Sequence, residues 1–337
     1  MQKQPRKHHF VQAEHIRQFV SDDGIVWIYG KDGKQFHATP EGIFKKKDLN
    51  SFDAPDGLDT SFESFVTKIE NECWPAIKRT IEKEIIEQAD VDRITTYVSL
   101  SRMRNPSVQA GIIESRKQIL NSTARIMDSR GKFDDIGPNP IDPDRSVSEL
   151  LDSGSLVFNI NNSVYLESVL HMVETFQKVL ANGFRWCLVK SPRNRVVLSD
   201  HPLTYLHPGK HPGAYGITPG GKSCEMAFPL SKGLYLLGLW ENEIDNIECE
   251  DTVDELNKRQ AIFANRHIAS CHKRKWLRNL ATRYRSFGFQ MLSDSVGPIG
   301  ETYHIMRSGV YQLPGTKLFK GTHPLVTTNS IVGDKRA

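Results

Sequence analysis

The chain has 337 residues, 38% hydrophobic and 25% charged, with a formal net charge of +4, a globular balance that excludes a largely disordered or fibrous chain. No apolar run approaches the ~20 residues of a bilayer-spanning helix; the longest, Gly233 to Trp240, suits one buried strand. The basic start, Met1 to His9, lacks the apolar stretch of a secretory signal, so the expectation is a cytoplasmic protein with no membrane partner.

In chain order, His8 to Val20 reads as a short arm or helix. A hairpin follows, Gly24–Gly30 and Lys34–Ala38 around the Asp32-Gly33 turn signal. After a loop to about Asp59, Thr60 and Glu63 form a capping box that opens a helix through Phe62, Ile69 and Trp74, broken or kinked at Pro75. Helical periodicity continues to about 90, resumes through Ile94, Val98 and Arg102, and starts again at Pro106, reaching about Met127. Residues 131–144 are a loop by turn chemistry, and Tyr165–Leu180 is an amphipathic helix stopped at Asn182-Gly183.

Strands then dominate: Phe184–Val189 and Arg195–Leu198 as a hairpin, Met226–Phe228, and Leu234–Trp240. Thr252 with Glu255 predicts a second capping box and a long helix to about His272. The fold expected is α+β: a helix-rich single domain over 1–307 with one small, mainly antiparallel sheet, and a weakly structured tail over 308–337. Cys73, Cys187, Cys224, Cys249 and Cys271 are odd in number and contain no Cys-x-x-Cys pair, so they read as free, mostly buried thiols.

Charge is distributed unevenly. Glu241–Glu255 carries eight acids and no Lys or Arg, whereas Lys258–Arg285 carries nine Lys or Arg and no acid. Lys273, Arg274, Lys275 and Arg278 are therefore candidate phosphate contacts, the alternative being a solvated helix pair that balances the acidic segment.

The order of several short motifs resembles the bacterial family catalogued as domain of unknown function 4238. The motifs are His9-Phe10-Val11-Gln12, Trp27-Ile28-Tyr29, Ile69-Glu70, Arg104-Asn105-Pro106, Ser199-Asp200-His201-Pro202, Pro229-Leu230-Ser231 and Asn257 to Ile268. The resemblance covers residues 8–275. The chain departs from the family pattern where Pro is expected after Val11, where His201 replaces Asn, and where Lys232 replaces Pro. The resemblance implies a cytoplasmic bacterial protein of antiviral defence and no settled reaction.

Asp200 follows a strand and precedes a stiff Pro-bounded loop, so its carboxylate can activate water or hold a metal; alternatively it bonds backbone N–H groups. Asn257 shares a small apolar helical face with Ala261, Ala264 and Ile268, within about 60° at 100° per residue, and either serves a substrate or ties down a buried loop. Glu70 offers a second carboxylate or is an exposed helical acid. His9 is a candidate ligand or base. Gln12, Tyr29, Arg104, Ser199, His201, Ser231 and Arg266 are candidate substrate contacts, Ser231 being equally suited to capping a turn.

No dinucleotide fingerprint, P-loop or His-Glu-x-x-His occurs, so no cofactor and no metal centre is expected. The function expected is a nucleic-acid hydrolase of antiviral defence, most concretely a metal-independent DNA glycosylase acting on possibly modified phage DNA through Asp200 and Asn257. The alternatives are a metal-dependent nuclease using Asp200, Glu70 and His9, and a non-enzymatic sensor of a phage protein or partner of a toxin.

Overall fold

The computed structural model describes residues 6–54, 57–133, 142–207, 224–240, 245–297, 303–313 and 315–316. The first elements are β1 (Lys7–His9), α1 (Ala13–Arg17), β2 (Val26–Gly30), β3 (Gln35–Ala38), β4 (Lys45–Lys47), β5 (Phe52–Ala54) and β6 (Gly57–Asp59). A helical run follows: α2 (Ser61–Lys83), α3 (Val91–Met103), α4 (Pro106–Ser129), α5 (Val147–Asp152) and α6 (Asn162–Gly183). Then come β7 (Phe184–Lys190), β8 (Leu198–Ser199), β9 (Thr204–Leu206), β10 (Glu225–Ser231), β11 (Leu234–Trp240) and β12 (Ile247–Glu248). The chain continues as α7 (Glu250–Phe263), β13 (His267–Ser270), α8 (Lys275–Arg283), β14 (Phe287–Val296) and β15 (Tyr303–Gln312). The fold is α+β, as expected.

The strands do not meet in one sheet. A five-stranded sheet runs β12-β7-β11-β10-β9, and a separate four-stranded sheet runs β3-β2-β13-β8. The five-stranded sheet is buried on both faces, which is why Leu234–Leu239 is an almost unbroken apolar run rather than an alternating one. Met226, Phe228, Leu234, Leu236 and Leu188 face the core shared with α2, α3 and α6. Their strand neighbours Cys187, Val189, Tyr235, Leu237 and Leu239 pack instead with Val26, Ile28, Leu198, Val253 and Leu256. The layers are thus helices, five-stranded sheet, then four-stranded sheet with α7.

Several boundaries differ from the sequence reading for identifiable reasons. The Asp-Gly hairpin forms as expected, Val26 opposite Ala38 and Tyr29 opposite Gln35. Arg195–Leu198 does not form a hairpin with β7; Leu198 and Ser199 pair with β13 in the other sheet. The N-terminal arm begins as a strand, β1 pairing with β4. α2 runs through Pro75 as one helix, and its Thr60 N-cap makes no side-chain capping bond, while the Glu63 carboxylate accepts from the Asn50 side-chain amide. Glu255 likewise caps nothing and pairs with Lys258. Helix α7 stops at Phe263, nine residues early, and Ile268 lies on β13 rather than on the Asn257 face.

The expected weak tail starts inside a strand. β15 pairs with β14 over ten residues, from Phe287 opposite Gln312 to Val296 opposite Tyr303. α4 approaches this hairpin closely at Gly111, where a Cβ would lie 2.4 Å from Met291 Cβ. The rest of the tail, 317–337, and most of the 131–144 loop lie outside the described residues.

Candidate active site

Asp200 sits at the C-terminal end of β8 and is almost wholly buried. Its Oδ1 accepts from the Asn265 N–H at 2.8 Å; its Oδ2 accepts from Arg266 N–H at 2.7 Å and His267 N–H at 3.0 Å. The chain must turn here from α7 into β13, and the turn aims successive N–H groups inward, where an unpaired donor is costly. The carboxylate answers all three. Lys31, also buried, donates through Nζ to the Phe287 carbonyl and lies 3.5 Å from the Ile262 carbonyl. Burial pulls its pKa down to about 7, and the Asp200 charge opposes the fall. This is the geometry of the alternative reading, a carboxylate committed to backbone donors; both oxygens are occupied.

The neighbours of Asp200 are committed in the same way. The Ser199 hydroxyl lies 2.6 Å from Gln260 Oε1 and 2.7 Å from the His201 carbonyl, and Gln260 Nε2 donates to the Pro202 carbonyl at 2.6 Å. The His201 ring is fully buried, 3.9 Å from the Phe289 ring, and burial, aided by the Arg102 charge, pushes its pKa down to about 3. Asn257 Oδ1 accepts from Val197 N–H and the Tyr235 hydroxyl, both at 2.9 Å, while its Nδ2 donates to the Arg195 carbonyl at 2.9 Å. It ties the segment before β8 to α7. Ser231 accepts from the Gly233 N–H in a tight turn. The Tyr29 hydroxyl donates to the His272 carbonyl and accepts from the Arg274 N–H. Lys273, Arg274, Lys275, Arg278 and Arg266 are exposed, none of them ion-paired among the described residues, and Lys273 Nζ lies 4.7 Å from the centre of the Trp27 ring.

A different set of expected residues does converge. His9 and Gln12, from β1 and the turn into α1, Glu70 from α2 and Arg104 from the end of α3 line one cleft of about 420 Å³, together with Glu63, Asn71 and Trp74. Glu63 and Glu70 are seven residues apart on α2 and so share a face. Arg104 is 2% exposed; its Nη1 donates to Glu70 Oε1 and its Nη2 to the His9 carbonyl. One guanidinium thus fixes both the acid and the arm.

Burial raises the Glu70 pKa, a push that Arg104 opposes without cancelling. Burial, then the Lys45 charge, lowers the His9 pKa to about 4. The imidazole is therefore neutral at pH 7. Its Nε2 lies 3.3 Å from the Pro40 carbonyl, which assigns the proton to Nε2 and the lone pair to Nδ1. Two polar atoms of this cleft's side chains, Gln12 Oε1 and Arg104 Nε, are shielded from solvent and have no partner.

Asn105 joins the cleft to the Asp200 loop. Its Nδ2 donates to the Asp200 carbonyl at 2.7 Å, and its Oδ1 accepts the Ser107 N–H as the N-cap of α4, with Pro106 at the first helical position. In the arm, His15 Nε2–H donates to the Pro229 carbonyl at 2.6 Å and its ring stacks on Phe228. The arm, the Arg-Asn-Pro element, the Asp200 loop and the Pro229 turn are therefore one connected assembly. Sequence reasoning missed Glu63 and Trp74 as cleft residues; the seven-residue spacing of Glu63 and Glu70 was the available signal. Among the described residues, no three His, Cys, Asp or Glu side chains gather in a way that could hold a metal ion.

A family described as "Protein of unknown function (DUF4238)" matches residues 7–274. No curated protein and no solved structure matches the chain.

Proposed function

The chain belongs to the DUF4238 family, and from that premise and the geometry of the arm cleft we propose that it is a metal-independent hydrolase acting on nucleic acid, most concretely one that excises a base by hydrolysing its N-glycosidic bond. The observation that carries this reading is the convergence of His9, Gln12, Glu70 and Arg104 on one cleft, which brings an imidazole, an amide and a carboxylate into a single lining. A side-chain amide such as that of Gln12 suits the amide-like edge that a nucleobase presents and a sugar or aliphatic acid does not. The cleft volume, about 420 Å³, is in the range of small-molecule sites.

In this reading the carboxylate-plus-amide chemistry belongs to Glu70 and Gln12, not to Asp200 and Asn257. Glu70, held by Arg104, places a negative charge beside the sugar as positive character develops at its anomeric carbon. Water oxygen bonds to that carbon as the carbon–nitrogen bond breaks and its electron pair departs with the base. His9 Nδ1 takes one proton from the water and returns it to the departing nitrogen. Arg104, whose Nη1 and Nη2 groups donate to Glu70 and to the His9 carbonyl, is a positioning residue.

The test is incubation with unmodified and modified phage DNA, with and without chelator, reading free base and strand breaks separately. Chelator-insensitive base release with alkali-labile sites is expected. Metal-dependent strand cleavage without base release would replace this reading with a nuclease, and inertness toward every nucleic acid would favour the non-enzymatic alternative.

A further inference from the structure

Beyond the cleft itself, the two-stranded ribbon of β1 and β4 has an unusual composition for a paired structure. Lys7 stands opposite Lys47, His8 opposite Lys46, and His9 opposite Lys45. Cross-strand partners share a face and alternate residues take opposite faces, so Lys7, Lys47, His9 and Lys45 lie together on one side. The other side confirms the assignment: His8 is buried with its Nδ1 accepting from the Asn50 N–H, and Lys46 Nζ donates to Gln109 Oε1. Like charges placed directly opposite destabilise a ribbon. Among the described residues Lys7, Lys45 and Lys47 form no ion pair. The acid nearest in sequence, Asp48, is held by Arg6, although it also feels Lys47. The facing groups that His9 itself feels are Lys45, Arg104 and Glu63.

We propose that the paired-lysine face of this ribbon, Lys7, Lys45 and Lys47 beside His9, is the phosphate track of the arm cleft, holding the backbone of a single-stranded nucleic acid while one nucleotide enters the cleft. The proposal rests on the nucleic-acid reading above and deepens it, because it moves the backbone contact from the basic block around α8 to the ribbon. Lys45 and the Lys7–Lys47 pair stand two strand residues apart, about 7 Å, the order of the separation between neighbouring phosphates of an extended strand. The track ends on His9, a residue of the cleft, whose lining does not include Lys273, Arg274 or Lys275.

The experiment measures binding of a fluorescein-labelled single-stranded oligodeoxynucleotide, and of its RNA counterpart, by anisotropy across a salt series. The proteins are wild type, the triple variant Lys7→Gln, Lys45→Gln, Lys47→Gln, and the triple variant Lys273→Gln, Arg274→Gln, Lys275→Gln. Three lost phosphate contacts on a single strand reduce the slope of log affinity against log salt by about 2. That loss is expected for the ribbon variant and not for the α8 variant. The ribbon variant is also expected to melt no lower than wild type, since repulsion between the facing Lys7 and Lys47 is relieved. If wild type binds and only the α8 variant loses slope, the track is overturned and the nucleic-acid reading survives. If wild type binds neither oligonucleotide at low salt, both fall. Equal competition by polyglutamate or by phosphatidylserine vesicles would also overturn the track, by showing a surface that answers to negative charge of any kind.

Discussion

Replacing Asp200 by Asn separates a structural carboxylate from a catalytic one. Three half-buried N–H groups converge on the two oxygens, two of them on Oδ2. Asn keeps a single acceptor oxygen and turns an amide NH₂ toward whatever remains, so at least one backbone donor loses its partner and faces another donor. Losing a charge-assisted bond costs about 1.5–3 kcal/mol, and an N–H left without its partner adds about 1–3 kcal/mol, giving a total of about 2.5–6 kcal/mol. Lys31 loses the charge that opposes its desolvation and becomes easier to deprotonate. The expected result is a variant that folds but melts about 10 °C lower, with base release per folded molecule near that of wild type. Thermal unfolding followed by circular dichroism, with activity measured well below the transition, checks both halves. A variant that unfolds within about 1 kcal/mol of wild type yet loses 10²–10⁴ in rate would refute the reasoning and return Asp200 to the chemistry.

Three further outcomes follow from the packing. Glu70→Leu and Arg104→Leu each leave a buried charge without its partner and are expected to cost about 3–5 kcal/mol, whereas the double variant recovers much of that stability and none of the activity; denaturant titration of all three checks it. His15 is fully buried and burial lowers its pKa to about 4, so the unfolded state binds a proton as pH falls below 6.5 while the native state does not. Its contribution is intact above pH 6.5 and declines through to pH 4 by about 3 kcal/mol, a loss that His15→Phe is expected to flatten in pH-dependent melting. Gly111→Ala drives a Cβ to 2.4 Å from Met291 Cβ and 2.7 Å from the Met291 carbonyl oxygen, so α4 and the β14–β15 hairpin must separate, costing about 1–3 kcal/mol in urea unfolding.

Local chemistry made much of the fold legible. The Asp32-Gly33 turn, Pro106 at a helix start and the Leu234–Trp240 run each report on a few neighbouring residues, and each element formed. What escaped depends on distant partners. Between Phe263 and Ile268 only Asn265 hints at a helix end, and the partner for the N–H groups of that turn is Asp200, more than sixty positions earlier in the chain. β1 and β4 carry no apolar alternation, since one face of the ribbon is cationic and the other is bonded to Asn50 and Gln109. The candidate site was half legible. His9, Gln12, Glu70 and Arg104 were named through the family resemblance, but their convergence could not be read, because Arg104 reaches back ninety-five positions to the His9 carbonyl. The surroundings of Asp200 were hidden for the converse reason: a carboxylate after a strand has the same spelling whether it meets water or three backbone donors.

The most direct measurement of the central claim is base release by a His9→Asn variant beside wild type, followed by mass spectrometry of the free base from a defined oligonucleotide. Arg104 grips the His9 main chain, not its ring, and the one ring contact that the shorter Asn amide gives up, Nε2 to the Pro40 carbonyl, is long at 3.3 Å, so the cleft is expected to keep its shape and the variant a melting point close to wild type. What disappears is the imidazole lone pair. The account predicts a rate lower by about 10²–10⁴ with unchanged oligonucleotide binding; a normally folded His9→Asn protein releasing base within threefold of the wild-type rate would contradict it.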